Sequence, residues 1–375
     1  MALPWGIARG GWQTQPMSTP FEPVTFTRGP AMLNRFMLAP LTNTQSHTDG
    51  TMSDEEFRFL QMRAEGGFGL TMTCASHVQA NGQGFPGQLG SWSDAHVDGL
   101  TRLATALNAT GTVSYIQLQH AGNRSPVALI GGQPVCPSDD EATGARALTT
   151  DEVHEVVAAF VAAARRAQSA GFHGVELHGA HGYLLCQFLS PELNRRTDEY
   201  GGSLTNRSRI LFEIIDGIRA ECGDDLAVAV RLSPERFGLE IAEIVEVYQQ
   251  LVSAGTVDLI DMSLWDFDRR PEVPGFEGRS LTEIFAELPR GQVRLGVAGK
   301  IHEVADVQRV LDLGVDIAVL GRVAIMHHDY PQLAAQPGFE PRRAPVAVDV
   351  LAAEGVSPKF VEYLTGTFKG FVETS

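Results

Sequence analysis

Ala170-Gly171-Phe172-His173-Gly174-Val175-Glu176-Leu177 decides how this chain is built. A helical pattern runs into Gly171, a residue free to take the left-handed conformation that ends helices. An apolar run follows at once, as a buried parallel strand should. The same joint recurs at Glu65-Gly66-Gly67-Phe68-Gly69-Leu70, at Ala254-Gly255-Thr256-Val257-Asp258-Leu259-Ile260 and at Leu313-Gly314-Val315-Asp316-Ile317-Ala318-Val319. Each gap between joints has room for about two βα units, which makes about eight. The strands between them are expected at Phe36–Leu41, Thr112–Leu118, Leu226–Arg231 and Val293–Val297.

Helices fill the intervals. Val153, Val156, Val157, Phe160, Val161 and Ala164 make one apolar stripe, and Ile210, Leu211, Ile214, Ile215 and Ile218 a second. Ile241, Ile244, Val245, Tyr248, Leu251 and Val252 make a third, all at helical spacing. Thr149-Thr150-Asp151-Glu152 reads as a capping box opening the first. Alternating strands and helices with short links imply a parallel sheet. An open doubly wound sheet would carry a glycine fingerprint after its first strand, whereas Pro40-Leu41-Thr42-Asn43-Thr44 stands there. The expectation is therefore a (β/α)₈ TIM barrel, a single domain over 18–375 with insertions in its βα loops. Residues 119–148, 178–204 and 262–279 are those insertions, at the end where barrel active sites assemble. Residues 1–17 read as a mobile extension without an assigned role.

Bulk composition narrows the class. The chain has 375 residues, 43% of them hydrophobic, and a net charge of -16. That charge repels phosphate backbones and anionic membranes, so nucleic acid and membrane roles are not expected. No apolar run approaches the roughly 18–20 residues of a membrane span. Four scattered cysteines, Cys74, Cys136, Cys186 and Cys222, contain no CxxC pair. They read as unremarkable thiols of a cytoplasmic protein rather than a disulfide or metal framework.

Candidate chemistry collects after the predicted strands. His178-Gly179-Ala180-His181-Gly182-Tyr183 follows Val175–Leu177 directly. Two imidazoles and a phenol there could hold a polarised oxygen and deliver a proton. Paired zinc ligands, or structural hydrogen bonding, are the alternatives the residues leave open. Glu176 and Asp258 read as interior or helix-facing polar residues. Arg231 closes the fifth strand, either in an ion pair or facing a bound anion, and Gln117 is similarly placed. Ala298-Gly299-Lys300 and Leu320-Gly321-Arg322 follow the last two strands, where barrels commonly seat a phosphate on backbone N–H groups.

Taken together, these positions resemble the Old Yellow Enzyme family of FMN-dependent ene-reductases. The most specific stretch is Glu176-Leu177-His178-Gly179-Ala180-His181-Gly182-Tyr183-Leu184, followed by Phe188-Leu189-Ser190-Pro191 and Asn194-Arg195-Arg196-Thr197-Asp198-Glu199-Tyr200-Gly201-Gly202-Ser203. Gln117-Leu118-Gln119-His120-Ala121-Gly122 and Trp92-Ser93-Asp94 agree with it. The resemblance implies non-covalent FMN near Pro40, Leu41, Thr42, Ala75, Gln117 and Arg231, with its phosphate at Gly299, Lys300, Gly321 and Arg322. It implies that NADH or NADPH reduces the flavin. His178 and His181 then bind the carbonyl oxygen of an activated alkene. Hydride from flavin N5 reaches the β-carbon, and Tyr183 protonates the α-carbon. Rival readings are a flavin-dependent oxidative demethylation of amines and a metal-dependent, non-redox barrel enzyme. Oligomeric state, a homo-oligomer included, stays open, and no residue after Arg342 is assigned a role.

Overall fold

The computed structural model describes residues 18–373; the expected extension over 1–17 lies outside them. Eight strands close into a parallel barrel: β1 Phe36–Leu38, β2 Leu70–His77, β3 Val113–Gln119, β4 Gly174–Gly179, β5 Ala227–Leu232, β6 Leu259–Ser263, β7 Arg294–Ala298 and β8 Ile317–Leu320. Each strand pairs with its sequence neighbours, and β1 pairs with β8. The open sheet is thereby excluded. Every predicted strand is present, and β1 stops short of Pro40, which leaves Pro40–Thr42 in the loop above it.

Helices alternate with the strands: α1 Asp54–Glu65, α2 Val97–Asn108, α3 Thr150–Ala170, α4 Leu204–Cys222, α5 Ile241–Ala254, α6 Leu281–Ala286, α7 Val304–Asp312 and α8 Arg322–Met326. The capping box forms as read: the Thr149 hydroxyl accepts from the Glu152 N–H while the Glu152 carboxylate accepts from the Thr149 N–H. Gly67, Gly171, Gly255 and Gly314 all take positive φ, between 66° and 96°. The four thiols are free and buried.

Strand parity explains where polar groups can go. Successive side chains point to opposite faces, so in β3 Val113 and Tyr115 face inward with Gln117 above them. The same rule sets Arg231 above Ala227 and Ala229, and Asp261 and Ser263 above Leu259. Val113, Tyr115, Ala227, Ala229 and Leu259 belong to one apolar interior cluster, with Met37, Leu70, Met72, Ile317 and Val319. Val24 and Met32, bridged to each other, plug it from the N-terminal end. Asp258 works at that end too: it pairs with Arg28 at 3.2 Å and Arg219 at 3.0 Å and accepts from the Val228 N–H. Its structural reading holds.

The insertions lie above the C-terminal strand tips. The one after β3 carries a two-stranded ladder, Val135–Cys136 with Arg146–Ala147. The tail supplies two further helices, α9 Val348–Ala353 and α10 Pro358–Thr367. Arg63, fully buried in α1, donates to the carbonyls of Ala324, Phe59, Glu354 and Ile325, which ties that tail to the barrel.

Candidate active site

The polar layer on the apolar floor is built by register. Gln117 sits opposite Glu176, His178 opposite Arg231, and Arg231 opposite Asp261. The Gln117 Nε2 donates to Glu176 Oε1 at 2.7 Å. Arg231 Nε lies 3.0 Å from Asp261 Oδ2, so of the two readings left open the ion pair is present, with buried Asp261 on β6 as its partner. All four side chains are at most 5% exposed. Burial, aggravated by Asp261 and opposed by Arg231, pushes the Glu176 carboxyl up; burial likewise raises Asp261. Two buried carboxyls sharing one guanidinium thus retain a proton.

The imidazoles form a relay. The Ala180 N–H donates to His178 Nδ1 at 3.3 Å, so neutral His178 carries its hydrogen on Nε2. That Nε2 faces His181 Nδ1 at 3.3 Å, and His181 Nε2 faces the Ser263 hydroxyl at 2.7 Å. The pattern assigns both imidazoles the Nε2–H tautomer. Burial holds His181 down to about 3, helped by Arg231 and Arg124. Burial, then His181, Arg231 and Arg124, keep His178 far below its usual value. Neither ring is cationic near neutral pH; each offers an N–H. Zinc would need a third donor. Among the described residues the trio close enough to share an ion is His328, Asp329 and Glu354, where Arg342 and His328 already hold the Glu354 carboxylate.

Tyr183 stands beside the relay, its ring centroid 5.0 Å from that of His178. Burial raises its phenol against the pull of Arg124, so it keeps its proton. Arg124 lies over the Tyr183 ring at 5.1 Å and donates to the His181 carbonyl at 2.5 Å.

The remaining expected residues surround this layer. Ala75 pairs in register with Gln117. Pro40, Leu41 and Thr42 follow β1, and Gly321 precedes α8, with Arg322 as its first residue. Gly299 owes its identity to its neighbours: an added Cβ would meet the Phe267 and Asp266 nitrogens at 2.9 and 3.0 Å. Lys300 is paired with Asp266 at 2.9 Å. Exposed Arg322 makes no ion pair among the described residues.

Four site features escaped the sequence reading: Asp261, Ser263, Arg124 and Tyr363. The last arrives on α10 and meets the Thr42 side chain at the barrel mouth. A glutamine, arginine or serine at the end of a strand could have been sought by parity. Tyr363, after an unassigned tail, carried no local signal.

The buried layer also tests a flat, hydrogen-bonding cofactor. Gln117 Oε1 and Glu176 Oε2 have no hydrogen-bond partner, and Arg231 Nε has the Asp261 ion pair without an aligned hydrogen bond. Leaving such atoms buried and unpaired costs about 1–3 kcal/mol each. A ring edge offering both an N–H and a carbonyl satisfies the amide and the guanidinium, and a flavin's pyrimidine edge has both. The donor set fits that group.

Residues 20–332 match the family profile described as "NADH:flavin oxidoreductase / NADH oxidase family". The protein is accordingly an NAD(P)H-dependent flavin oxidoreductase on a TIM barrel. Its relatives include the "Probable NADH-dependent flavin oxidoreductase YqiG" of Bacillus subtilis, 35% identical over 80% of this chain and 84% of the relative. An "NADPH dehydrogenase" of Bacillus licheniformis is 34% identical over 86% of this chain and 96% of its own length. Among solved structures, an old yellow enzyme homologue from Zymomonas mobilis superposes with a TM-score of 0.79 at 27% identity, covering 91% of this chain and 99% of that one. The chain belongs to the NADH:flavin oxidoreductase, or Old Yellow Enzyme, family.

Proposed function

We propose that the protein is an FMN-dependent ene-reductase, with NAD(P)H as electron source and an α,β-unsaturated carbonyl compound, or a similarly activated alkene, as acceptor. FMN would supply the two-electron chemistry that couples NAD(P)H oxidation to hydride addition at the β-carbon of the alkene. Gln117 and Arg231 would hold its pyrimidine edge, and Pro40, Leu41, Thr42 and Ala75 would line the rest of the ring. Gly299, Lys300, Gly321 and Arg322 would take its phosphate. For Lys300 that means exchanging Asp266 for the phosphate, whereas Arg322 has no partner to give up.

The observation that carries this reading is the neutral His178–His181 relay beside a layer whose Gln117 amide oxygen has no hydrogen-bond partner and whose Arg231 Nε has no aligned one. A carbonyl oxygen reaching the relay competes with His181 Nδ1 for one N–H and with the Ser263 hydroxyl for the other. Two such donors polarise the double bond toward attack at the β-carbon. Tyr183, kept protonated by burial, would then deliver its proton to the α-carbon. Isotope placement tests this. In D₂O, cyclohexenone should gain solvent deuterium at the α-carbon, and the label of 4-deuterated NADH should appear at the β-carbon. Solvent deuterium at the β-carbon, or bleaching of the flavin by an amine without nicotinamide, would overturn the proposal.

A further inference from the structure

Neighbouring strands each give one polar side chain to the buried layer: Gln117 from β3, Glu176 from β4, Arg231 from β5 and Asp261 from β6. The next inward position, on β7, is Gly296, which adds no side chain. The layer therefore holds two acids and a single guanidinium. Glu176 and Asp261 are fully buried and Arg231 nearly so. Glu176 Oε1 accepts from Gln117, whereas Glu176 Oε2 and both Asp261 oxygens accept no aligned hydrogen bond.

At that depth an uncompensated charge is costly. Two acids beside one guanidinium are neutral overall with a single proton between them. The groups facing the pair bring no second cation. Tyr115, below on β3, keeps its phenol proton through burial and the nearby charges of Asp258 and Glu176. His178 on β4 and His181 above it are neutral. Arg124 lies farther out, on the His181 carbonyl and the Tyr183 ring.

Reduction of a flavin at this layer would change the charge count. Hydride transfer breaks the nicotinamide C4–H bond, oxidises NADH and leaves the reduced ring with one further negative charge. Arg231 would then face an anion on the ring side as well as Asp261. Burial raises both carboxyls while Arg231 opposes the rise, so dividing its charge between two anions draws in a proton.

We propose that Glu176 and Asp261 are the proton store of the flavin site: the pair holds one proton beside the oxidised cofactor and takes a second from solvent when the cofactor is reduced. The two electrons come from NADH, and the proton taken from water restores neutrality around Arg231. The second proton rests on the proposed flavin reading; the first does not.

Anaerobic reduction of the FMN-loaded protein by stoichiometric NADH, in weak buffer near neutral pH with an indicator dye, tests the second proton. Hydride transfer itself consumes no solvent proton, so about one taken up per bound flavin is expected. The double variant Glu176→Gln with Asp261→Asn should take up none. Either single variant, with one acid left beside Arg231, should still take up about one. Infrared difference spectra, parent minus single variant, test the first proton and cancel the contribution of buried Glu56. They should show a protonated carboxyl lost from the oxidised protein. No uptake by the parent overturns the inference, and that measurement needs no variant to fold. Uptake undiminished in the double variant overturns it too, by putting the proton on the flavin or an imidazole. A chain that takes up no flavin defeats the proposed function, yet the infrared comparison stays readable on the flavin-free protein. There, no carboxyl band lost in either single variant would remove the first proton and the store with it.

Discussion

At the scale of single residues, the account turns on hydrogen positions. His178 and His181 are both neutral, and the Ala180 N–H on His178 Nδ1 fixes which nitrogen of each ring donates. Removing one donor from such a site typically costs about 2.7–4 kcal/mol. His181→Ala should therefore slow alkene reduction by some hundredfold or more, read as the rate of flavin reoxidation by cyclohexenone after rapid mixing. Flavin content should stay at the parent level, because Gln117 and Arg231 are untouched. A His181→Ala protein reoxidised at the parent rate would remove the imidazoles from the chemistry.

Elements show why the fold was readable and the site only partly so. Each helix-to-strand joint is a local signal, a glycine stop followed by an apolar run, and all four joints formed where they were read. Even there two neighbouring glycines have different reasons. Gly67 supplies positive φ, whereas Gly66 is helical, and an added Cβ would lie 2.0 Å from the His328 carbonyl oxygen. Gly66→Ala must push α1 off the segment after α8 and should cost about 3 kcal/mol. Thr149→Ala, which loses only a cap, should cost about 1 kcal/mol. Chemical denaturation ranks the pair; equal losses would contradict the close packing. The paired histidines, Gln117 and Arg231 were legible because strand ends can be counted. The partners that complete them were not, since Asp261 meets Arg231, and Tyr363 meets Thr42, only once distant segments come together. Lys300 illustrates the same limit: its charge was visible in the sequence and its partner Asp266 was not.

For the molecule as a whole, buried titratable groups set opposing slopes of stability against pH. Burial lowers His77 and His327 to about 4 and His120 to about 3, alongside His178 and His181. Unfolded, each takes up a proton near its ordinary value of 6.5. The unfolded chain then binds more protons, and their contribution is present above that pH and lost as pH falls toward 4. Glu56 moves the other way: burial raises it to about 7, and Glu176 also rises. Those carboxyls contribute fully below about pH 4.5 and lose it as pH climbs through 7. Histidines outnumber them, so the melting temperature should peak near about pH 6.5 and fall on both sides, steeply on the acid side. Calorimetric scans showing no fall between pH 6.5 and 5 would contradict the neutral buried histidines. The most direct test of the central claim is an anaerobic absorbance titration of the purified protein after incubation with FMN. The account predicts a stoichiometric flavin spectrum that NADH or NADPH bleaches and cyclohexenone then restores. A protein that retains no FMN, or whose bound flavin stays reduced in the presence of the enone, would contradict it.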